Sequence, residues 1–140
     1  NVFNIIKKIN ILLISFNFLP ILPLDGGRFL NIVLDKLFSY KLSNKITIII
    51  SIIFMLIFIL TKRTLLSLLL FLFLIKEIIM EIKNLDNKFI NFLFERYKND
   101  YNFKKIKRVK NHNKFKRDYY HTINGITEKK YLSKLFDRNN

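Results

Sequence analysis

The sequence predicts an all-α, polytopic membrane fold of about three spans, followed by a small, basic, helical cytoplasmic tail. Three observations predict it. The 140 residues are 51% hydrophobic and yet carry a formal charge of +15. The two properties are segregated: residues 1–80 hold nine basic and three acidic side chains, residues 81–140 sixteen and seven. Within the first part lie long stretches with no charge at all. This composition excludes a disordered polar chain and a collagen-like repeat. Without cysteine, it also excludes a disulfide scaffold and any Cys-based zinc site. Ala, Gln, Trp and Cys are absent, and Ile, Lys, Asn and Phe, the residues of AT-rich codons, abound. Bulk charge is therefore weak ground for a function.

The elements follow in order. Ile9 to Leu24 is uncharged but broken by Pro20 and Pro23, which disrupt a helix there. Asp25-Gly26-Gly27-Arg28 comes next, and an apolar helical pattern resumes through Phe29, Leu30, Val33, Leu37 and Phe38. Ile46 to Leu60 has no charge, and a second run spans Leu65 to Ile75 and continues past Lys76 and Glu77 to Met80. Helices apolar on every face belong in a core or a bilayer. Each run is a little short of the roughly 20 residues of a full span. Flanking Lys45, Lys62, Arg63 and Lys83 extend the reach by snorkelling. The pair is expected to form a transmembrane hairpin turning at 61–64. A soluble bundle of this length could hardly bury two such helices and a third.

The expected division is 1–80 as the membrane region and 81–140 as the tail. Basic flanks place the tail in the cytoplasm. In the tail, Leu85, Phe89, Leu93, Tyr97 and Tyr101 recur every four residues and predict an amphipathic helix. Asn124-Gly125 predicts a turn, then a short helix from near Thr127 that buries Tyr131, Leu132, Leu135 and Phe136.

The candidate site is the interrupted stretch Asn17-Phe-Leu-Pro20-Ile-Leu-Pro23-Leu-Asp25-Gly26-Gly27. Irregular backbone survives at membrane depth only where protein or water satisfies it. An ionisable residue there marks a functional site. Asp25 is a hard ligand suited to zinc, and Gly26 and Gly27 admit close approach of backbone or metal. Asn17 and the carbonyls freed by Pro20 and Pro23 suit an extended peptide or a water. The competing reading is structural, with Asp25 an N-cap in ordinary Pro-x-Asp-Gly turn chemistry.

The pattern Asn-x-x-Pro-x-x-x-x-Asp-Gly, met by Asn17, Pro20, Asp25 and Gly26, resembles the second signature of the site-2 protease family. The eleven residues Asn17 to Gly27 look most like its sporulation factor B branch. The resemblance covers roughly residues 1–80. It implies a zinc intramembrane metalloprotease that cleaves transmembrane segments of substrate proteins. In that family an H-E-x-x-H helix supplies two histidine ligands and the general base, and the motif Asp supplies the third ligand. By that resemblance Asp25 binds Zn²⁺, Asn17 and Pro20 contact substrate, and Pro23, Gly26 and Gly27 shape the site. The metal would activate a water and polarise the scissile carbonyl.

No catalytic residue of that set lies in this chain. It contains no H-E-x-x-H, and its two histidines, His112 and His121, lie in the tail. The 140 residues are therefore expected to be inactive alone, with the general base upstream of Asn1 in an N-terminal half. The alternative is a non-catalytic membrane protein, either a decayed protease or a membrane-anchored interaction factor.

His112 and His121 stand nine residues apart, not at the i, i+4 spacing of a helical metal pair. Packing or surface roles suit them better. Residues 96–117 carry ten Lys/Arg and one acid. This tract fits a positive-inside segment or attraction to anionic lipid headgroups. Interleaved aromatics also suit nucleic acid, but a juxtamembrane position argues against that partner. The tail is expected to lack the strand–helix alternation of a regulatory nucleotide-binding module.

Overall fold

The computed structural model describes residues 2–61, 64–99 and 101–137. The chain order is α1 (Val2–Asn17), α2 (Asp25–Leu37), α3 (Tyr40–Thr61), α4 (Leu65–Lys98), β1 (Ile106–Val109), β2 (Tyr120–Ile123), β3 (Ile126–Thr127) and α5 (Glu128–Phe136). A single 3-10 turn, His112–Lys114, lies between β1 and β2. The residues group into two compact units. One comprises Asn1–Val33 and Ile46–Ile82, the other Leu34–Lys45 and Lys83–Asn140.

The first unit is helical. α3 has 22 residues, about 33 Å at 1.5 Å per residue, enough for a hydrocarbon core of about 30 Å. Among the described residues it is the one helix both long and apolar enough to cross a membrane. Its inward stripe is Thr47, Ser51 and Met55, all buried, at i, i+4 and i+8. Its other faces leave Ile49, Ile53, Leu56, Ile57 and Leu60 exposed. An exposed apolar surface of this kind calls for a non-aqueous partner.

The expected companion spans do not reach the same standard. α1 has 16 residues, buries none of them, and carries Lys7 and Lys8 mid-helix. In α4 the charges Lys76, Glu77 and Glu81 interrupt the apolar run after Ile75. α4 starts with a reciprocal cap: Thr64 N–H donates to Ser67 Oγ at 3.0 Å and Ser67 N–H donates to Thr64 Oγ1 at 3.2 Å. Lys62 and Arg63, in the expected hairpin turn, lie outside the described residues. α4 also runs unbroken for 34 residues, joining the expected span and the expected amphipathic helix. No Gly, Pro or cap separates Met80 from Leu85, so nothing ends the helix there. It stops at Lys98, before Asn99, Asp100 and Asn102, all weak helix formers. Tyr101 therefore falls outside it.

The second unit corrects the all-helical tail. It contains a three-stranded sheet in the order β1-β2-β3. β1 pairs parallel with β2, Ile106 opposite Tyr120 through Val109 opposite Ile123. β2 and β3 form an antiparallel hairpin through Asn124 (φ 49°) and Gly125 (φ 80°). Two successive positive φ values are what a two-residue hairpin turn demands. α5 follows as expected, with Leu132 fully buried and Tyr131, Leu135 and Phe136 packed on the core. That core is Phe89, Phe92, Leu93, Val109, Phe115, Ile123 and Leu132. Tyr40 stacks on Phe92 at 4.2 Å between ring centroids.

A buried polar cluster ties this unit together. The Arg96 and Glu128 side chains form an ion pair, each 3% exposed. Arg96 also donates to the carbonyls of Lys116, Arg117 and Tyr119. Glu128 Oε2 accepts from the His121 N–H at 2.7 Å and faces His121 Nδ1 at 3.0 Å. His121 Nε2 accepts the Lys116 N–H at 3.0 Å, so the ring proton sits on Nδ1 and points at Glu128. Both histidines have packing roles: His121 is fully buried, and His112 stacks on Phe89 and meets the Tyr131 hydroxyl at 2.9 Å.

Candidate metal-ligand loop

The loop from Asn17 to Gly27 lies wholly in the first unit. α1 ends at Asn17, just before the two prolines. Pro20 has no N–H to give, and the chain there turns tightly: Ile21 N–H donates to the Leu19 carbonyl at 2.7 Å, and Leu24 N–H to the Ile21 carbonyl at 2.8 Å. The Leu22–Pro23 peptide is cis. Ile21 is 1% exposed and anchors the loop.

α3 supplies a second anchor. Leu22 N–H donates to Ser51 Oγ at 2.9 Å, and the Ser51 hydroxyl donates to the Thr47 carbonyl at 2.8 Å. The Thr47 hydroxyl meets Asn31 Oδ1 of α2 at 3.1 Å. A buried amide of an irregular loop needs such an acceptor. Sequence analysis did not single out Thr47 and Ser51. Their four-residue spacing on an otherwise apolar helix was the signal that they share one inward face.

The two glycines let the loop close. A Cβ on Gly26 would stand 2.2 Å from the Phe18 carbonyl oxygen and 2.4 Å from that of Leu19. One on Gly27 would stand 2.6 Å from the Ile21 carbonyl carbon. Only glycine allows this approach of the α2 N-terminus to the loop backbone. It also brings the loop's ends together, because Phe18 follows Asn17 and Gly26 follows Asp25.

Asp25 is the first residue of α2 and is exposed. The capping carbonyl belongs to Leu24, which accepts from Gly27 and Arg28 at 3.1 and 3.2 Å. Among the described residues no hydrogen bond or ion pair occupies the Asp25 carboxylate. Its charge lies at the helix N-terminus, where the macrodipole favours an anion. Asn17 is exposed at the end of α1, and Pro20 and Pro23 are half-buried between.

Zinc needs more donors than this. Among the described residues no three His, Cys, Asp or Glu side chains come together as a metal site. Asp25 is therefore a lone carboxylate, and these residues by themselves do not fit a zinc ion. The loop carries a carboxylate and a carboxamide, Asp25 and Asn17, at its exposed ends.

Helices with exposed apolar faces around a Pro-bent, glycine-closed loop define a membrane-type helical segment bearing an accessible carboxylate. Residues 1–61 match the model of Peptidase family M50, the site-2 protease family. The match spans α1, the loop, α2 and α3, and so contains every residue of the predicted site. The match is consistent with a site-2 protease-like fragment in this part of the chain, and the family's members are metalloproteases. With α3 it points to a membrane protein. No curated protein matches the chain.

Proposed function

We propose that this chain is part of a zinc-dependent intramembrane protease of the site-2 type, acting on transmembrane segments of substrate proteins. The observation that supports the reading is the loop itself. Asp25 stands uncapped and unpaired among the described residues at the closed end of an Asn-x-x-Pro-x-x-x-x-Asp-Gly motif, inside the family match. Asp25 is the carboxylate ligand of the assembled site. Asn17 and Pro20 face substrate, while Pro23, Gly26 and Gly27 hold the loop's shape. The histidine ligands and the general base come from residues outside these 140, since the sequence holds no H-E-x-x-H and its two histidines, His112 and His121, are packed in the second unit.

In this reading α1, α3 and the apolar half of α4 are the spans of a multi-pass cell-membrane protein, and the basic tail is cytoplasmic. α1 and the start of α4 expose Phe3, Leu12, Ile14, Leu65 and Leu66 by more than 60%, a surface suited to lipid. A second reading rests on the lack of a three-donor cluster among the described residues. In it the chain is a non-catalytic membrane protein that keeps the loop without the metal.

The test is cleavage of a membrane-embedded reporter by the complete enzyme. Asp25→Asn keeps the size and removes the charge. The protease reading expects cleavage to fall to background while the protein stays in the membrane. Unchanged cleavage would reduce Asp25 to a helix-dipole residue.

A further inference from the structure

We propose that the β1 edge of the second unit, Lys104 to Lys110, is a docking surface for anionic phospholipid headgroups. The segment Lys104-Lys-Ile-Lys-Arg-Val-Lys110 carries five cations and no acid in seven residues. All five are exposed. Among the described residues no ion pair or hydrogen bond engages the side chains of Lys104, Lys107, Arg108 or Lys110. Lys105 alone is partly occupied, its ammonium 5.8 Å from the Tyr119 ring centroid. β1 is also an edge strand: among the described residues β2 pairs with it on one side and nothing on the other. Lysine and arginine along such an edge discourage strand addition and leave the charge free for a diffuse anionic surface.

The partner's chemistry follows from what surrounds those charges. Ile106 is 71% exposed in their midst. An apolar side chain ringed by ammonium groups matches the headgroup–acyl boundary of a bilayer. A single-stranded nucleic acid would need aromatic faces to stack its bases. Here Tyr101 alone is exposed, at 49%, and one ring makes no run of stacking faces. Phe115 is fully buried, Phe103 lies under the Arg96 guanidinium at 4.4 Å, and Tyr119 and Tyr120 are half-buried. Charge without a stacking platform favours lipid over RNA. The proposal rests on the membrane placement given above and not on the protease reading.

The full chain is reconstituted in nanodiscs of phosphatidylcholine alone and of phosphatidylcholine with phosphatidylglycerol, and amide hydrogen exchange is followed. Exchange across 104–110 is expected to slow at least about tenfold with the anionic lipid, since several cations act together. High salt is expected to reverse it, the screening length falling from about 8 Å to about 3 Å. Replacing Lys104, Lys107, Arg108 and Lys110 together by Gln is expected to abolish it, with Ile123 and Leu132 amides still protected. Should that variant unfold, salt reversal on the unmodified chain decides. Equal exchange in both nanodiscs, or slowing indifferent to salt, overturns the proposal. So does slowing by a single-stranded oligonucleotide where phosphatidylglycerol has no effect. Protection of α3 amides in both nanodiscs reports insertion separately; its absence would remove the membrane placement as well.

Discussion

Alanine at Gly26 tests whether the loop closes as described. In an unobstructed helix, Gly→Ala stabilises by about 1 kcal/mol. Gly26 lies in the first turn of α2, so propensity alone predicts a gain. The structure predicts the opposite sign. The new methyl would stand 2.2 Å from the Phe18 oxygen and 2.4 Å from the Leu19 oxygen, against a comfortable separation of about 3.5 Å. Both obstacles are backbone atoms and cannot swing aside. The loop or the helix start must move by about 1 Å, and overpacking of this kind costs about 1–3 kcal/mol. The assay is the unfolding midpoint of the full chain in detergent micelles, with hydrogen exchange read across residues 18–24. A lowered midpoint and faster exchange there are expected. Gly125→Ala is the control. It has φ +80° and nothing within 4 Å, so it costs only the backbone penalty of about 1–2 kcal/mol and leaves residues 18–24 untouched. A raised midpoint for Gly26→Ala would refute the close approach of the α2 N-terminus to the loop backbone.

Three further outcomes are expected. Ser51→Ala strands the Leu22 N–H without its acceptor, costs about 1–3 kcal/mol, and speeds exchange of that amide before any other in the loop. Glu128→Gln leaves the buried Arg96 charge uncompensated and destabilises the second unit by about 3–5 kcal/mol, read as loss of exchange protection in β2 and α5. Acid acts on the same unit through two groups that weaken it, while Asp35, whose carboxyl burial holds above 3.8, acts in the opposite sense. Burial, then the Lys41 charge, holds His112 below its ordinary 6.5. Burial would raise Glu128, but hydrogen bonds from His121 and Arg96 and the Arg96 charge outweigh it and hold the carboxyl below 4.5. Both groups bind fewer protons folded than unfolded. Their stabilisation is therefore complete above the unfolded values and lost as pH falls through the folded ones. With Asp35 replaced by Asn, a titration of unfolding midpoint should decline first below about 6.5 and again below about 4.5; stability rising as pH falls in that variant would contradict both assignments.

The helices were readable because their signals are local. The uncharged stretch Ile46–Leu60, the stripe through Phe89 and Leu93, and the Asn124-Gly125 turn each announce a period or a backbone conformation. The sheet was not readable. β1 is Ile-Lys-Arg-Val, with only Val109 buried, so a half-exposed edge strand looks like a solvated basic tract. β2 and β3 are four and two residues long, too short for alternation to show. The Arg96–Glu128–His121 cluster joins residues 32 and 7 positions apart, and no local pattern marks a buried ion pair. At the candidate loop the residue types were visible, but the closure of Gly26 onto Phe18 and the hydrogen bond from Leu22 to Ser51 are long-range facts. The capping alternative for Asp25 was likewise open in the sequence; in the fold Leu24 occupies the capping position.

The most direct measurement is the zinc content of the complete enzyme isolated from its native membrane, with Asp25 intact and with Asp25→Asn. The account predicts close to one zinc per protein, lost or sharply weakened by the substitution while the helical content and the Leu22–Ser51 hydrogen bond persist. Zinc at full stoichiometry in Asp25→Asn, or none in the natural protein, would contradict it.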